Sequence, residues 1–378
     1  FLRDKNFHNL ADLDNVDVIE GRAEFIDNHT LRVFQADGER VLRGEKIFIN
    51  TGAESVIPAI TGLTTTAGVF DSTGLLSLSQ RPARLGILGG GYIGLEFASM
   101  FANFGTKVTI FEAAPQFLPR EDRDIAQAIT RILQEKGVEL ILNANVQAVS
   151  SKEGAVQVET PEGAHLVDAL LVASGRKPAT AGLQLQNANA GVAVNERNQN
   201  AGVAVNERGG IIVDDYLRTT ADNIWAMGDV TGGLQFTYIS LDDFRIVRDG
   251  LLGDGKRSTR DRQNVPYSVF MTPPLSRVGL TEEQARASGA TVQVVTLPVA
   301  AIPRARVMND TRGVLKAVVD VNTQRIVGVS LLCVDSHEMI NIVKTVMDAD
   351  LPYTVLRDQI FTHPTMSESL NDLFSLIK

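Results

Sequence analysis

Two groups of residues in this chain have the types and spacing that nucleotide and redox chemistry require. Gly89-Gly90-Gly91-Tyr92-Ile93-Gly94 fits G-x-G-x-x-G, and Glu112 follows 18 residues beyond Gly94. In that pattern the first glycine permits a tight turn and the second lets the backbone approach a pyrophosphate at a helix N-terminus. The third lets helix and strand pack closely. A carboxylate at position 112 accepts hydrogen bonds from ribose hydroxyls and repels a 2′-phosphate. Ala113-Ala114-Pro115 brings no compensating arginine, so NADH is expected over NADPH. The second group is Thr220-Ala-Asp-Asn-Ile-Trp-Ala-Met-Gly-Asp229, a strand running into Gly-Asp. It sets a carboxylate at a strand's C-terminal end, where open α/β sheets bind nucleotides, although spacing alone equally allows an ordinary strand-end turn. The single cysteine, Cys333, lies in the apolar run Val327–Val334. It reads as a buried strand residue with an inert thiol, and one cysteine cannot form an intrachain disulfide.

The elements around these residues place them. From Arg84 the pattern reads strand (Leu85–Leu88), glycine loop, helix to about Phe104, strand (Lys107–Glu112), helix (about Asp122–Lys136) and strand (Val138–Leu142). This alternation is a βαβαβ nucleotide-binding half. A polar hairpin near Val156–Glu159, an apolar strand Ala169–Ala173 and Gly175-Arg-Lys-Pro178 close it. Before it, strand-like pieces at Val16–Ile19, Leu31–Val33 and Lys46–Asn50 have no helix between them and read as a meander needing a partner layer. After Asp229 a helix is expected over Tyr238–Leu252, then a polar linker Asp254–Asn264. Strands near Val292–Pro298, Gly313–Val319 and Ile326–Leu332 follow, and then helices at about Glu338–Asp348, Tyr353–Gln359 and Ser367–Leu376. Strands followed by helices suggest an α+β cap.

Taken together, these motifs resemble the class I pyridine nucleotide-disulfide oxidoreductases, a family that includes dihydrolipoamide dehydrogenase, glutathione reductase and mercuric reductase. The resemblance runs the length of the chain. It implies an α/β fold with two Rossmann-like nucleotide-binding domains, for FAD and NAD, and a C-terminal α+β dimerisation domain. The corresponding divisions are 1–83 and 179–262 for the FAD domain, 84–178 for the NAD domain and 263–378 for the dimerisation domain. By the same resemblance Asp229 bonds the ribityl chain of FAD, and Ile49-Asn-Thr-Gly-Ala53 is the loop between the two nucleotide domains, with Gly52 near the flavin adenosine. Thr237-Tyr-Ile-Ser240 begins a helix aimed at the flavin N1–C2 carbonyl edge, where its dipole favours negative charge. Tyr92 resembles the aromatic gate over the nicotinamide, and Glu96 the partner of a flavin-proximal lysine that this chain does not contain. Gly175 meets the nicotinamide half of NAD, and Val146 joins the cofactor-binding set. Phe361-Thr-His-Pro-Thr-Met-Ser-Glu368 matches the family's His-Pro-Thr-x-x-Glu, whose histidine serves the partner subunit's site and so implies a homodimer. In that role His363 exchanges a proton with a thiol and Glu368 fixes its tautomer.

The family carries a flavin-binding G-x-G-x-x-G and a Cys-x-x-x-x-Cys pair before the region where these residues start, and neither occurs among the 378 residues. A complete relay from NADH through FAD to a disulfide is therefore expected to need a segment preceding Phe1. Within the family the chain resembles most the mercuric reductase-like flavoproteins linked to reactive-chlorine resistance in enteric bacteria. It ends Ser-Leu-Ile-Lys378 rather than in the vicinal cysteines of mercuric reductases proper. The expected acceptor is thus a metal ion such as cupric copper, a disulfide or a quinone. The alternatives are a dihydrolipoamide dehydrogenase and, from another class, an inactive NAD-binding dimerisation fragment.

Composition narrows the remaining classes. At 378 residues, 44% hydrophobic and 21% charged, the chain reads as two or three globular domains. A net charge of −9 gives no footprint for nucleic acid, and the basic stretch Lys256–Arg262 is interrupted by Asp261. No apolar run approaches the roughly 18 residues of a membrane helix and no leader pattern opens the chain, so a cytoplasmic location is expected. No resident metal is expected. Residues 189–197 recur identically at 200–208. The copy reads as a duplication made in cloning or in building the chain, with a tandem insertion in a surface loop as the alternative.

Overall fold

The computed structural model describes residues 2–189 and 202–378. The first copy of the duplicated nonapeptide lies, apart from Asn189, outside the described residues. Two compact units emerge, one of residues 1–54 with 176–261 and the other of 55–175 with 262–378.

The first unit contains a helix, Leu2–Ala11, that the sequence reading missed. None of its side chains is buried, so it carries no apolar stripe to read. The strand expected at Val16–Ile19 is absent, and the antiparallel meander runs instead through Arg22–Phe25, Thr30–Gln35 and Gly38–Arg43. Two short parallel strands, Ile47–Ile49 and Ile224–Ala226, carry the core of this unit. They bury Ile47, Ile49, Ile224 and Ala226 with Phe25, Leu185, Val203 and Ile211. The expected helix spans Thr237–Leu252.

The second unit holds a parallel sheet in the order Val69–Phe70, Ala169–Val172, Arg84–Leu88, Lys107–Phe111, Glu139–Ile141. Strand Ala169–Val172 is buried at every position, as an interior parallel strand must be. The helices Tyr92–Asn103 and Arg123–Glu135 supply the crossovers. The second of these buries Ile125, Ala126, Ala128, Ile129, Ile132 and Leu133, the spacing of one helical face. The hairpin expected near Val156 is a three-stranded antiparallel sheet over Ala148–Lys152, Ala155–Thr160 and Gly163–Val167.

The C-terminal part of this unit is a five-stranded antiparallel sheet, ordered Tyr267–Val269, Leu275–Gly279, Arg325–Leu332, Val314–Asp320, Val292–Pro298. Helices Ser336–Asp348, Thr354–Asp358 and Ser369–Ser375 accompany it. Cys333, one residue past the end of its strand, is fully buried in this core, and burial pushes its thiol well above the ordinary range. Val269, Met271, Leu275 and Leu332 pack into the same apolar core as the nucleotide-binding helices, so the parallel sheet and the C-terminal sheet share one interior. None of the helices among the described residues is long and apolar enough to cross a membrane.

Candidate active site

The turn after strand Arg84–Leu88 is built only for glycine. Gly89 has φ +106°, and a Cβ there would stand 2.6 Å from the carbonyl oxygen of Ala173. A Cβ on Gly94 would sit 2.2 Å from the Gly89 carbonyl oxygen, so the helix starts as close to the loop as backbone allows. Gly91 is the N-cap of helix Tyr92–Asn103 and has no side-chain cap, and the space its Cβ would fill is open. An uncapped helix N-terminus facing open space is the cradle a pyrophosphate requires. Ile93 is partly buried and packs against the core.

Glu112, at the end of the next strand, is held by two backbone N–H groups. Gly90 donates to Oε2 and Ala114 to Oε1, each at 2.7 Å. Each carboxylate oxygen keeps acceptor capacity, which is what ribose hydroxyls need. The chain beyond strand Glu139–Ile141 is tied to the same place by Ala144 N–H donating to the Glu112 carbonyl at 2.9 Å. Val146 lies two residues further, half-buried. Gly175, exposed with φ +121°, follows strand Ala169–Val172 and accepts from Val56 N–H at 2.9 Å. Gly89–Gly94, Glu112, Val146 and Gly175 therefore line the carboxyl edge of one parallel sheet, the ligand-binding edge of open α/β folds. The residues present fit a nicotinamide dinucleotide.

Tyr92 and Glu96 lie one turn apart on the same helix and meet different surroundings. The Tyr92 hydroxyl donates to Glu121 Oε1 at 2.6 Å, and its ring stacks on Tyr267 with centroids 5.4 Å apart. Burial, reinforced by the Glu121 charge, raises the Tyr92 hydroxyl to about 12. Glu96 accepts from Phe270 N–H at 2.8 Å and lines a cleft of about 410 Å³ with Phe97, Met100, Phe104 and Phe270. Burial raises its carboxyl above the ordinary value against the opposing pull of that hydrogen bond.

The first unit assembles a separate set. Asp229 sits in the turn Gly228–Thr231 just after strand Ile224–Ala226, with Arg176 Nη1 at 3.6 Å. Gly228, at φ +72°, packs so closely that a Cβ would stand 2.7 Å from Asn50 Oδ1 and 2.8 Å from Ser240 Oγ. The Asp229 turn, the 50–52 loop and the first turn of helix Thr237–Leu252 thus converge. Gly52, at φ +74°, accepts from Ala179 N–H at 3.0 Å, and Thr237 is exposed at a helix start without a side-chain cap. Asp243, 2% exposed, accepts from Gly228 N–H at 2.6 Å and holds the turn from within the helix. This convergence fits the ribityl and ring end of a flavin.

His363 is exposed at the C-terminal end of the second unit, and its Nδ1 lies 2.8 Å from Glu368 Oε2. Glu368 Oε1 is buried and has no partner among the described residues. With Nδ1–H donating to this carboxylate, Nε2 is the nitrogen left to exchange a proton.

The sequence reading missed Asp243, Glu121, Tyr267, Arg277 and Lys316. Residues 120–124 form a polar seam to the C-terminal sheet. Arg277 donates to the Arg120 carbonyl at 2.9 Å, Tyr267 hydroxyl to Glu121 at 2.5 Å, and Glu282 N–H to Asp122 at 3.0 Å. Lys316, 4% exposed, lies 3.0 Å from both Asp124 and Glu282 and 3.4 Å from Asp122. The only local signal for this seam is the charge-dense run Arg120-Glu-Asp-Arg-Asp124 at a helix start.

Residues 3–243 match the family model described as pyridine nucleotide-disulphide oxidoreductase, and residues 265–374 match its dimerisation domain. The chain is 72% identical over all its 378 residues to the probable pyridine nucleotide-disulfide oxidoreductase RclA of Escherichia coli (strain K12), of which it spans 83%. A solved structure described as the Cu(II) complex of the HOCl-induced flavoprotein disulfide reductase RclA from Escherichia coli superposes with a TM-score of 0.95. It is 71% identical and covers 100% of this chain and 83% of that one. The chain is also 33% identical to the mercuric reductase of Bacillus cereus over 98% of its own length and 56% of that protein's. These matches bear out the α/β fold class with nucleotide-binding and C-terminal dimerisation parts.

Proposed function

The chain belongs to the pyridine nucleotide-disulphide oxidoreductase family, and from that premise we propose that it is an FAD-dependent oxidoreductase drawing electrons from NADH and delivering them through a cysteine pair to cupric copper. The observation that carries the NADH end is the convergence of the Gly89–Gly94 loop and Glu112 on one sheet edge. Flavin, when bound, supplies the chemistry of accepting a hydride and passing electrons on. Each remaining step falls to residues of this chain. Gly89 to Gly94 hold the dinucleotide pyrophosphate, and Glu112 accepts from the adenosine ribose hydroxyls, a placement that repels a 2′-phosphate and favours NADH. Val146 and Gly175 border the dinucleotide further along the same edge, and Tyr92 covers its nicotinamide end. Asp229 accepts from the ribityl chain beside Gly52. The helix start at Thr237 favours negative charge at the ring edge it faces. Glu96 positions the helix face that carries Tyr92 through its bond to Phe270. His363, oriented by Glu368, holds the proton of a thiol in the partner subunit's site, which makes the working unit a homodimer. The proposed location is the cytoplasm.

Copper is favoured as acceptor because the 71%-identical solved relative is described as a Cu(II) complex, and a stress-defence role follows from the HOCl induction stated for that protein. The test is anaerobic NADH oxidation with Cu(II), followed as Cu(I) by a chromogenic chelator, with NADPH, lipoamide and a quinone in parallel. Cu(I) formation with at least a tenfold preference for NADH supports the reading. Lipoamide turnover without Cu(I) formation makes it a dihydrolipoamide dehydrogenase, and absence of NADH oxidation with every acceptor leaves the NAD-binding dimerisation scaffold.

A further inference from the structure

Tyr92 is anchored by groups that lie far from the glycine loop in sequence. Its acceptor, Glu121, has a fully buried side chain. Glu121 Oε1 takes both the Tyr92 hydroxyl at 2.6 Å and the Tyr267 hydroxyl at 2.5 Å, while Oε2 faces Arg277 Nη1 at 3.7 Å and carries no hydrogen bond among the described residues. Arg277 is itself fixed, donating to the carbonyls of Arg120 and Gly279 and to Gln284 Oε1. The acceptor therefore cannot follow the Tyr92 ring if the ring moves. Tyr267 and Arg277 both belong to the segment that matches the dimerisation domain, so the anchor is built by that domain and presented to the nucleotide loop.

We propose that Glu121 is a positioning residue, a latch that holds the Tyr92 ring stacked on Tyr267 and must release the Tyr92 hydroxyl before the nicotinamide end of the dinucleotide settles. This deepens the reading of Tyr92 as the gate and rests on it. A hydroxyl donating to a charged buried acceptor biases a two-state ring by about tenfold or more, and a ligand that needs the unlatched state binds weaker by that factor. Removing the hydroxyl while keeping the ring is then expected to tighten binding, the reverse of what loss of a structural contact does.

The test is calorimetric titration of the purified protein with NAD+, which binds without turning over, on the parent and the Y92F, E121Q, Y92F/E121Q and Y92A variants. The latch predicts that Y92F binds NAD+ about tenfold tighter and E121Q tighter by a smaller factor. It also predicts that the double variant is no tighter than Y92F alone, because both changes break one bond. Should E121Q fail to fold, Y92F still decides. Y92F within twofold of the parent, or weaker, together with a changed affinity in Y92A, overturns the latch and leaves the gate standing. Both Y92F and Y92A within twofold overturn the gate and the latch with it.

Discussion

Replacing Lys316 by methionine keeps the volume of the side chain and removes the only cation shared by Asp122, Asp124 and Glu282 among the described residues. Lys316 is 4% exposed and Asp122 is 8% exposed, so the variant leaves Asp122 as a buried carboxylate with a single N–H donor from Glu282. Breaking a buried ion pair by removing one partner costs about 3–5 kcal/mol. Asp124 and Glu282 are partly solvated and Glu282 keeps Arg286, which places the expected loss near the lower figure, about 3 kcal/mol. For a folding unit of 150–250 residues this lowers Tm by roughly 6–12 °C.

The pH dependence has a definite sign at both ends. Hydrogen bonds from Lys316 and then Arg286 hold the Glu282 carboxyl below its ordinary value of 4.5, so its contribution is present above pH 4.5 and lost as pH falls through the lowered folded value. Burial alone would depress Lys316, but its bonds to Asp124 and Glu282, with Asp122 nearby, raise it above 10.5. Its contribution is present below pH 10.5 and lost as pH rises through the raised folded value. The difference in Tm between parent and K316M, measured by differential scanning calorimetry, is thus widest between pH 5 and 10 and shrinks on either side. The K316M/D122N double variant is expected to recover part of the loss, because it leaves no buried charge unpaired. A K316M protein as stable as the parent at pH 7, or a gap that widens below pH 4, refutes the reasoning.

Three further outcomes follow from the geometry. G94A puts a Cβ 2.2 Å from the Gly89 carbonyl oxygen and displaces the helix start. NAD+ affinity should fall at least tenfold in a calorimetric titration, with a stability cost of about 1–3 kcal/mol. H363Q should lower turnover with a disulfide or Cu(II) about 100-fold while sparing NADH oxidation by ferricyanide, a dye that takes electrons before any thiol step. E368Q should act the same way but more weakly, since an amide still bonds the imidazole.

The Gly89–Gly94 loop was legible in the sequence because its constraints are local. A turn at φ +106° and a backbone contact that no Cβ tolerates write themselves as glycines at fixed offsets, and the carboxylate that accepts from the Gly90 N–H stands just past the end of the next strand. The periodic helix Arg123–Glu135 and the uniformly apolar strand Ala169–Val172 were legible for the same reason, since burial on one face or on all faces repeats along the chain. Helix Leu2–Ala11 was not, because it buries nothing that a period could register. The tertiary structure alone decided which groups support the site. Glu121 meets Tyr267 across 146 residues and Lys316 meets Asp124 across 192, while Asp243 reaches the Gly228 turn from inside a helix. A buried charge is tolerated only where a partner arrives through space. Until the chain has folded, such a residue looks the same as a solvated one.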